Sequence, residues 1–222
     1  PQVYLRDDLL PSLLSGSYAF VSSLTYFFIP LFLKDHLNFS GSKIGMLYAG
    51  LSITGLFITF PIGFLNDLLT PRTLIVLSLI TTSLALWGQG FATNFIPFFL
   101  VFLLFGVSNN IFRTSLDALM FKGAQEENRG TRYGLFNAMR MIGFTAGALF
   151  AGYALLSFDF TAKLRHLSVF ALALVLAYPF LAATPGKRWE LFNYREDFFK
   201  KKVIVFSLWL FFFTLHWGAE ST

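Results

Sequence analysis

Between residues 73 and 112 the chain runs for 40 residues without an Asp, Glu, Lys or Arg. Few water-soluble folds can bury such a stretch, since a helix of 20 residues already spans the diameter of a small domain, about 30 Å. A bilayer core of about 30 Å takes roughly 20 apolar residues as a helix, so this stretch is long enough to cross twice. The polar break Gly88-Gln89-Gly90 through Asn94, with Pro97 behind it, marks the turn between the two crossings. Further charge-free stretches lie at 9–33, 44–66, 167–186 and 203–215, and 133–158 is interrupted only by Arg140. Together they predict six complete spans, near 9–33, 43–66, 72–91, 95–121, 133–157 and 164–184, and a seventh starting at 203. The expected fold class is an all-α polytopic transmembrane helical bundle.

Composition agrees with that constraint. Only 13% of residues are charged, against about 25% in soluble domains, while 55% are hydrophobic and 30 are Phe. With a mean hydropathy of +0.63, the chain lacks the polar material to cover a globule in water. This excludes a typical soluble enzyme, a disordered segment and a nucleic-acid binder. A net charge of +5 then belongs to loop topology rather than to a polyanion partner. Without cysteine there is no disulfide or thiolate metal site, and His36, His166 and His216 are too scattered for a metal. No Gly-rich phosphate loop occurs, so neither a cofactor nor an ATP site is expected. The sequence starts at Pro1 and stops at Thr222 inside an apolar segment, which is expected of a piece of a longer protein.

Lys and Arg in short loops set orientation. With the N-terminus cytoplasmic, 11 of the 17 basic residues fall inside, 4 outside, and Arg113 and Arg140 within spans. A cytoplasmic N-terminus in the cell membrane is therefore expected. The longest loop carries six of the inside residues. It divides the chain into a six-helix half (1–186), a cytoplasmic linker (187–202) and the start of a second half (203–222). Its interleaved aromatics also suit a helix lying in the headgroup region, but the linker reading is adopted.

The turn after the second span reads Gly63-Phe64-Leu65-Asn66-Asp67-Leu68-Leu69-Thr70-Pro71-Arg72. It resembles the signature of the major facilitator superfamily between helices 2 and 3, G-x-x-x-D-[RK]-x-G-x-[RK]-[RK]. Gly63, Asp67 and Arg72 match, whereas Leu68, Thr70 and Thr73 depart. Gly63 permits close helix approach, Asp67 can accept N–H groups at a helix N-terminus, and Arg72 can bridge to an acid. In the fifth span Gly134, Gly143, Gly147 and Gly152 keep the register of that family's helix-5 motif, with Ala148 and Ala151 in place of its Pro and one Gly. Small residues at four-residue steps let membrane helices touch through their backbones. The loop from Asn128 to Gly134 is similar to the family's as well, but Val101 stands where helix 4 usually carries a base. The resemblance implies the N-terminal six-helix half of a twelve-helix transporter, with the 63–72 turn restraining the movement of the halves. The helix-5 motif is most associated with antiporters, and the missing Pro departs from that association.

Charges inside spans need a partner or water, since each costs at least about 2.5–3.5 kcal/mol at mid-bilayer. Arg113 and Asp117 are four apart on helix 4 and able to pair. Arg140 on helix 5 reaches a similar depth, roughly 10 Å from the cytoplasmic end at 1.5 Å per residue. The three are expected to share one site, either as a network latching an inner gate or as a substrate or proton site. His216 and Glu220, also four apart, are candidates for proton coupling. A polar stripe on the first span, Ser15, Tyr18, Ser22, Thr25 and Tyr26, either bonds a neighbouring helix or faces a wet cavity. The resemblance favours the cavity, with Asn109 and Asn110 on the same wall.

The expected function is secondary active transport of a small solute by alternating access, driven by an ion gradient with protons as the expected ion, and with no enzymatic step. The partners would be the bilayer, the solute, protons and the remaining half of the chain. A transport-incompetent receptor or scaffold of the same fold is the alternative. A lipid-modifying membrane enzyme is a weaker one, because no loop carries a His-rich or paired-Asp motif.

Overall fold

The computed structural model describes residues 2–122, 129–155, 160–181, 205 and 209. The chain divides into the units Pro1–Lys187 and Arg188–Thr222. In the first unit the order is α1 (Gln2–Asp35), α2 (Gly41–Leu68), α3 (Pro71–Gln89), α4 (Phe95–Lys122), α5 (Arg129–Leu155) and α6 (Phe160–Ala173), with a 3₁₀ extension at Leu174–Phe180.

Local chemistry sets these boundaries. Asn38 takes φ 53° in the turn after α1, a left-handed conformation that Asn tolerates through local hydrogen bonding. Ser40 then caps α2 by accepting from the Lys43 N–H at 3.4 Å. Thr70 caps α3 in the same way, accepting from the Thr73 N–H at 3.4 Å, and Pro71 occupies the first helical position. The α3–α4 turn closes through N–H groups of Gly90 and Phe91 bonded to the carbonyls of Trp87 and Gly88.

Two helix boundaries differ from the bounds of the spans read in the sequence. The first candidate span does begin at Leu9, but the helix that carries it starts earlier, at Gln2, and runs through the charged segment before the apolar stretch. The sixth span is not one helix to 184: after Ala173 it tightens into 3₁₀ turns containing Pro179. Proline has no N–H to give an α-helical ladder and clashes with the carbonyl four residues back, which accounts for the change. The span count also differs. Among the described residues five helices are long and apolar enough to cross a membrane: Leu9–Asp35, Pro71–Gln89, Phe95–Met120, Gly130–Tyr153 and Phe160–Phe180. The sequence count of six adds α2, which is not among these five and whose side chains at 56, 59, 60 and 67 lie outside the description. Its 28 residues extend about 42 Å at 1.5 Å each, so length alone does not bar it from crossing. The seventh span lies outside the described residues apart from Val205 and Trp209.

The helices pair as α1 with α5, α4 with both α2 and α3, and α3 with α6. The α1–α5 approach is the tightest. A Cβ at Gly143 would collide with the Gly16 carbonyl, and one at Gly147 with the Phe20 carbonyl. Ser23 Oγ donates to the Phe144 carbonyl at 2.6 Å across the same seam. Small residues permit this backbone contact, which supplies packing where water expulsion cannot drive association. Gly63, Gly134 and Gly152 differ from the sequence expectation, since a Cβ on any of them would meet nothing within 4 Å.

Hydroxyls tie the remaining helices. Tyr18 OH of α1 lies 3.0 Å from Thr82 Oγ1 of α3, which donates to Ser108 Oγ of α4 at 2.9 Å. Ser108 in turn donates to the Phe105 carbonyl. Ser83 of α3 and Ser168 of α6 are 2.9 Å apart. Phe57, Leu149 and Leu176 are instead more than 70% exposed on the outside, an arrangement suited to lipid and not to water.

Candidate functional site: a cavity between α1, α4 and α5

The polar stripe of α1 repeats at three- and four-residue steps, and so do Asn109, Phe112, Arg113, Leu116 and Asp117 on α4 and Phe136, Arg140 and Phe144 on α5. Each set therefore falls on one helical face. The three faces meet around a cavity of about 190 Å³. Ser15, Tyr18, Ser22 and Tyr26 line it from α1. Thr25 does not, and donates its hydroxyl back to the Val21 carbonyl at 2.9 Å.

The charged groups come together, with a different pairing from the one that spacing allows. Arg140 Nη2 donates to Asp117 Oδ1 at 2.9 Å, joining α5 to α4. The Arg140 side chain is 14% exposed and that of Asp117 30%. The guanidinium also sits 4.8 Å over the Phe136 ring, and such a face attracts a cation. Arg113 lines the same cavity but is exposed and makes no ion pair among the described residues. A shared helical face thus brings Arg113 near Asp117, while the neighbouring helix supplies the hydrogen-bonded partner.

Asn109 and Asn110 part company. Asn109 lines the cavity, is 5% exposed, and its Oδ1 has no hydrogen-bond partner. Asn110 packs by Gly55 of α2, while its amide donates to the Gly106 carbonyl of its own helix at 2.9 Å. Adjacent residues on a helix are about 100° apart, and that turn carries Asn110 from the cavity side to the side facing α2.

The sequence reading assigned the intervening aromatics to packing or lipid and so missed part of the wall. Phe112, Phe136 and Phe144 line the cavity. Their steps of three and four from Asn109 and Arg140 are the signal that identifies them. Phe112 stacks on Tyr18 with centroids 3.8 Å apart, and Tyr18 is fixed at its other end by Thr82.

At the 63–72 turn, Arg72 does not bridge to an acid among the described side chains. Its guanidinium lies 4.0 Å from the centre of the Tyr178 ring, linking the start of α3 to the 3₁₀ segment. The Asp67 side chain, His216 and Glu220 lie outside the described residues. No group of three His, Cys, Asp or Glu able to hold a metal occurs among the described residues.

Fold and cavity define an integral membrane protein of the polytopic helical class, with a charged pocket inside its bundle. The description Major Facilitator Superfamily matches residues 12–221, and the chain belongs to that family. It is also similar to a protein of Bacillus subtilis (strain 168) described as an uncharacterized MFS-type transporter, YhjO, with 26% identity over 122 residues. That match spans 55% of this chain and 30% of the Bacillus protein.

Proposed function

We propose that this chain forms the N-terminal half of a secondary active transporter that moves a small solute across the cell membrane by alternating access, driven by protons. The observation that carries the reading is the cavity between α1, α4 and α5, with the Arg140–Asp117 pair and Arg113 on its wall. Charges within spans are costly, and membrane bundles keep them where a wet cavity and a passing ligand use them. Family membership and the printed description of the Bacillus relative support the same reading.

On this reading the chain performs translocation and no bond chemistry. Its partners are the bilayer, the solute, protons and a second half of the same chain. The basic loops hold the N-terminus in the cytoplasm. The turn bearing Gly63, Asp67 and Arg72 restrains the rocking of the halves, and His216 with Glu220 are candidates for proton coupling. The full-length protein in proteoliposomes under an inward-directed proton gradient should accumulate a solute from a chemically broad labelled panel. A protonophore should abolish that accumulation. Failure to accumulate or exchange any solute under any ion gradient would overturn transport, and indifference to the protonophore would remove protons as the driving ion.

A further inference from the structure

The cavity wall is unevenly charged. It presents two guanidinium groups, Arg113 and Arg140, and one carboxylate, Asp117. Arg140 is committed to Asp117 by a 2.9 Å hydrogen bond and is backed by the Phe136 ring. That leaves Arg113 near Asp117 but with no hydrogen-bonded anion among the described residues, on the wall of the cavity and well inside α4. A cation in such a place is held by water when the cavity is empty and gains most from a ligand that brings the opposite charge.

One turn away along α4 stands a second unsatisfied group. The Asn109 amide is 5% exposed, lines the cavity, and has a buried Oδ1 without a partner. A buried amide left unpaired costs free energy that a ligand hydrogen bond would return. Asn109 and Arg113, four residues apart, lie on one face of the helix. Phe112, Leu116, Phe136 and Phe144 add apolar wall opposite the polar stripe that α1 contributes. The volume of about 190 Å³ falls below the roughly 300–1,000 Å³ of pockets for drug-sized ligands.

We propose that this cavity binds a small organic monocarboxylate with a flat or compact apolar body, its carboxylate pairing with Arg113. The proposal rests on the transport reading and names the solute class of the same site. A planar guanidinium matches a carboxylate through two parallel N–H···O bonds, whereas the phenyl walls accept the apolar remainder. A dianion would bring one charge too many for the single uncommitted cation. A cationic solute would face Arg113 without a free carboxylate to meet it.

Benzoate, benzamide and benzamidine share one body and carry charges of −1, 0 and +1, so they isolate the charge requirement. Binding to the purified full-length protein would be read by calorimetry for wild type, Arg113→Gln and Arg113→Lys. Benzoate should bind wild type at least about tenfold more tightly than benzamide or benzamidine, the scale of one charge-assisted contact. Arg113→Gln should abolish that preference, and Arg113→Lys should keep part of it. Because Arg113 makes no ion pair among the described residues, the Gln variant should melt near wild type, and its melting temperature shows whether a lost preference reports on binding rather than unfolding. Equal or tighter binding of benzamide or benzamidine, no binding of benzoate, or an unchanged preference in Arg113→Gln would each overturn the proposal. Uptake separates it from the reading beneath it. Binding of benzoate without gradient-driven uptake of any solute would sink transport but not the anion site, whereas uptake confined to cations or neutral solutes would sink the anion site but not transport.

Discussion

Asp117 lies between two guanidinium groups and bonds only one of them. Removing its carboxylate strands Arg140, whose side chain is 14% exposed, against the Phe136 ring. Breaking a buried pair from one side costs about 3–5 kcal/mol, and the partial exposure of Asp117 places Asp117→Ala near the lower end. Replacing the stranded cation as well, in Asp117→Ala with Arg140→Gln, should recover part of the loss. Contacting residues show coupling of about 0.5–3 kcal/mol in such a cycle, whereas separate sites add. Melting temperature and folded yield in detergent, for both singles and the double, measure it. A double as unstable as the two singles combined would mean the pair does not meet, leaving Asp117 free to bind solute or proton directly. Much of this site was legible from spacing, because three- and four-residue steps say which residues share a face. They do not say which neighbouring helix answers that face. The choice of Arg140 over Arg113, and the turning away of Asn110, therefore had to come from three dimensions.

At the scale of elements, the glycines of α5 have unequal tasks that sequence register alone makes look alike. Gly143 and Gly147 face the α1 backbone so closely that a methyl would strike the Gly16 and Phe20 carbonyls. Backbone cannot swing aside as a flexible side chain does, so the helices must separate. Gly143→Ala and Gly147→Leu should each lower the melting temperature and impair transport while leaving membrane insertion intact. Gly134→Ala and Gly152→Ala meet open space and should be neutral or stabilising, by up to the roughly 1 kcal/mol that separates Gly from Ala in an exposed helix. Equal damage at all four positions would show that the α1–α5 seam is not where the tight contact lies. The 3₁₀ end of the sixth span was illegible for a related reason. Apolar composition fixes that a segment enters the membrane, while the ladder around Pro179 decides how its last turns wind.

For the whole molecule the open quantity is orientation, and the charges set a direction for it. With the spans as read from the sequence, 11 of the 17 basic residues fall at the N-terminal side of the membrane and 4 at the other. Cytoplasmic loops carry the excess of Lys and Arg, so the start of α5 should face the cytoplasm and the α1–α2 turn the outside. These 222 residues contain no cysteine, so within them a single introduced thiol has no native thiol to compete with it. Ser42 is exposed at the beginning of α2. Gly130 is exposed at the beginning of α5, where a side chain would meet nothing within 4 Å. In intact cells a membrane-impermeant maleimide should label Ser42→Cys, and should label Gly130→Cys only after permeabilisation. The reverse pattern would invert the protein. It would also put the turn bearing Gly63, Asp67 and Arg72 on the outer face, where it could not serve as a cytoplasmic restraint, and a proton gradient would then act on the cavity from the opposite side.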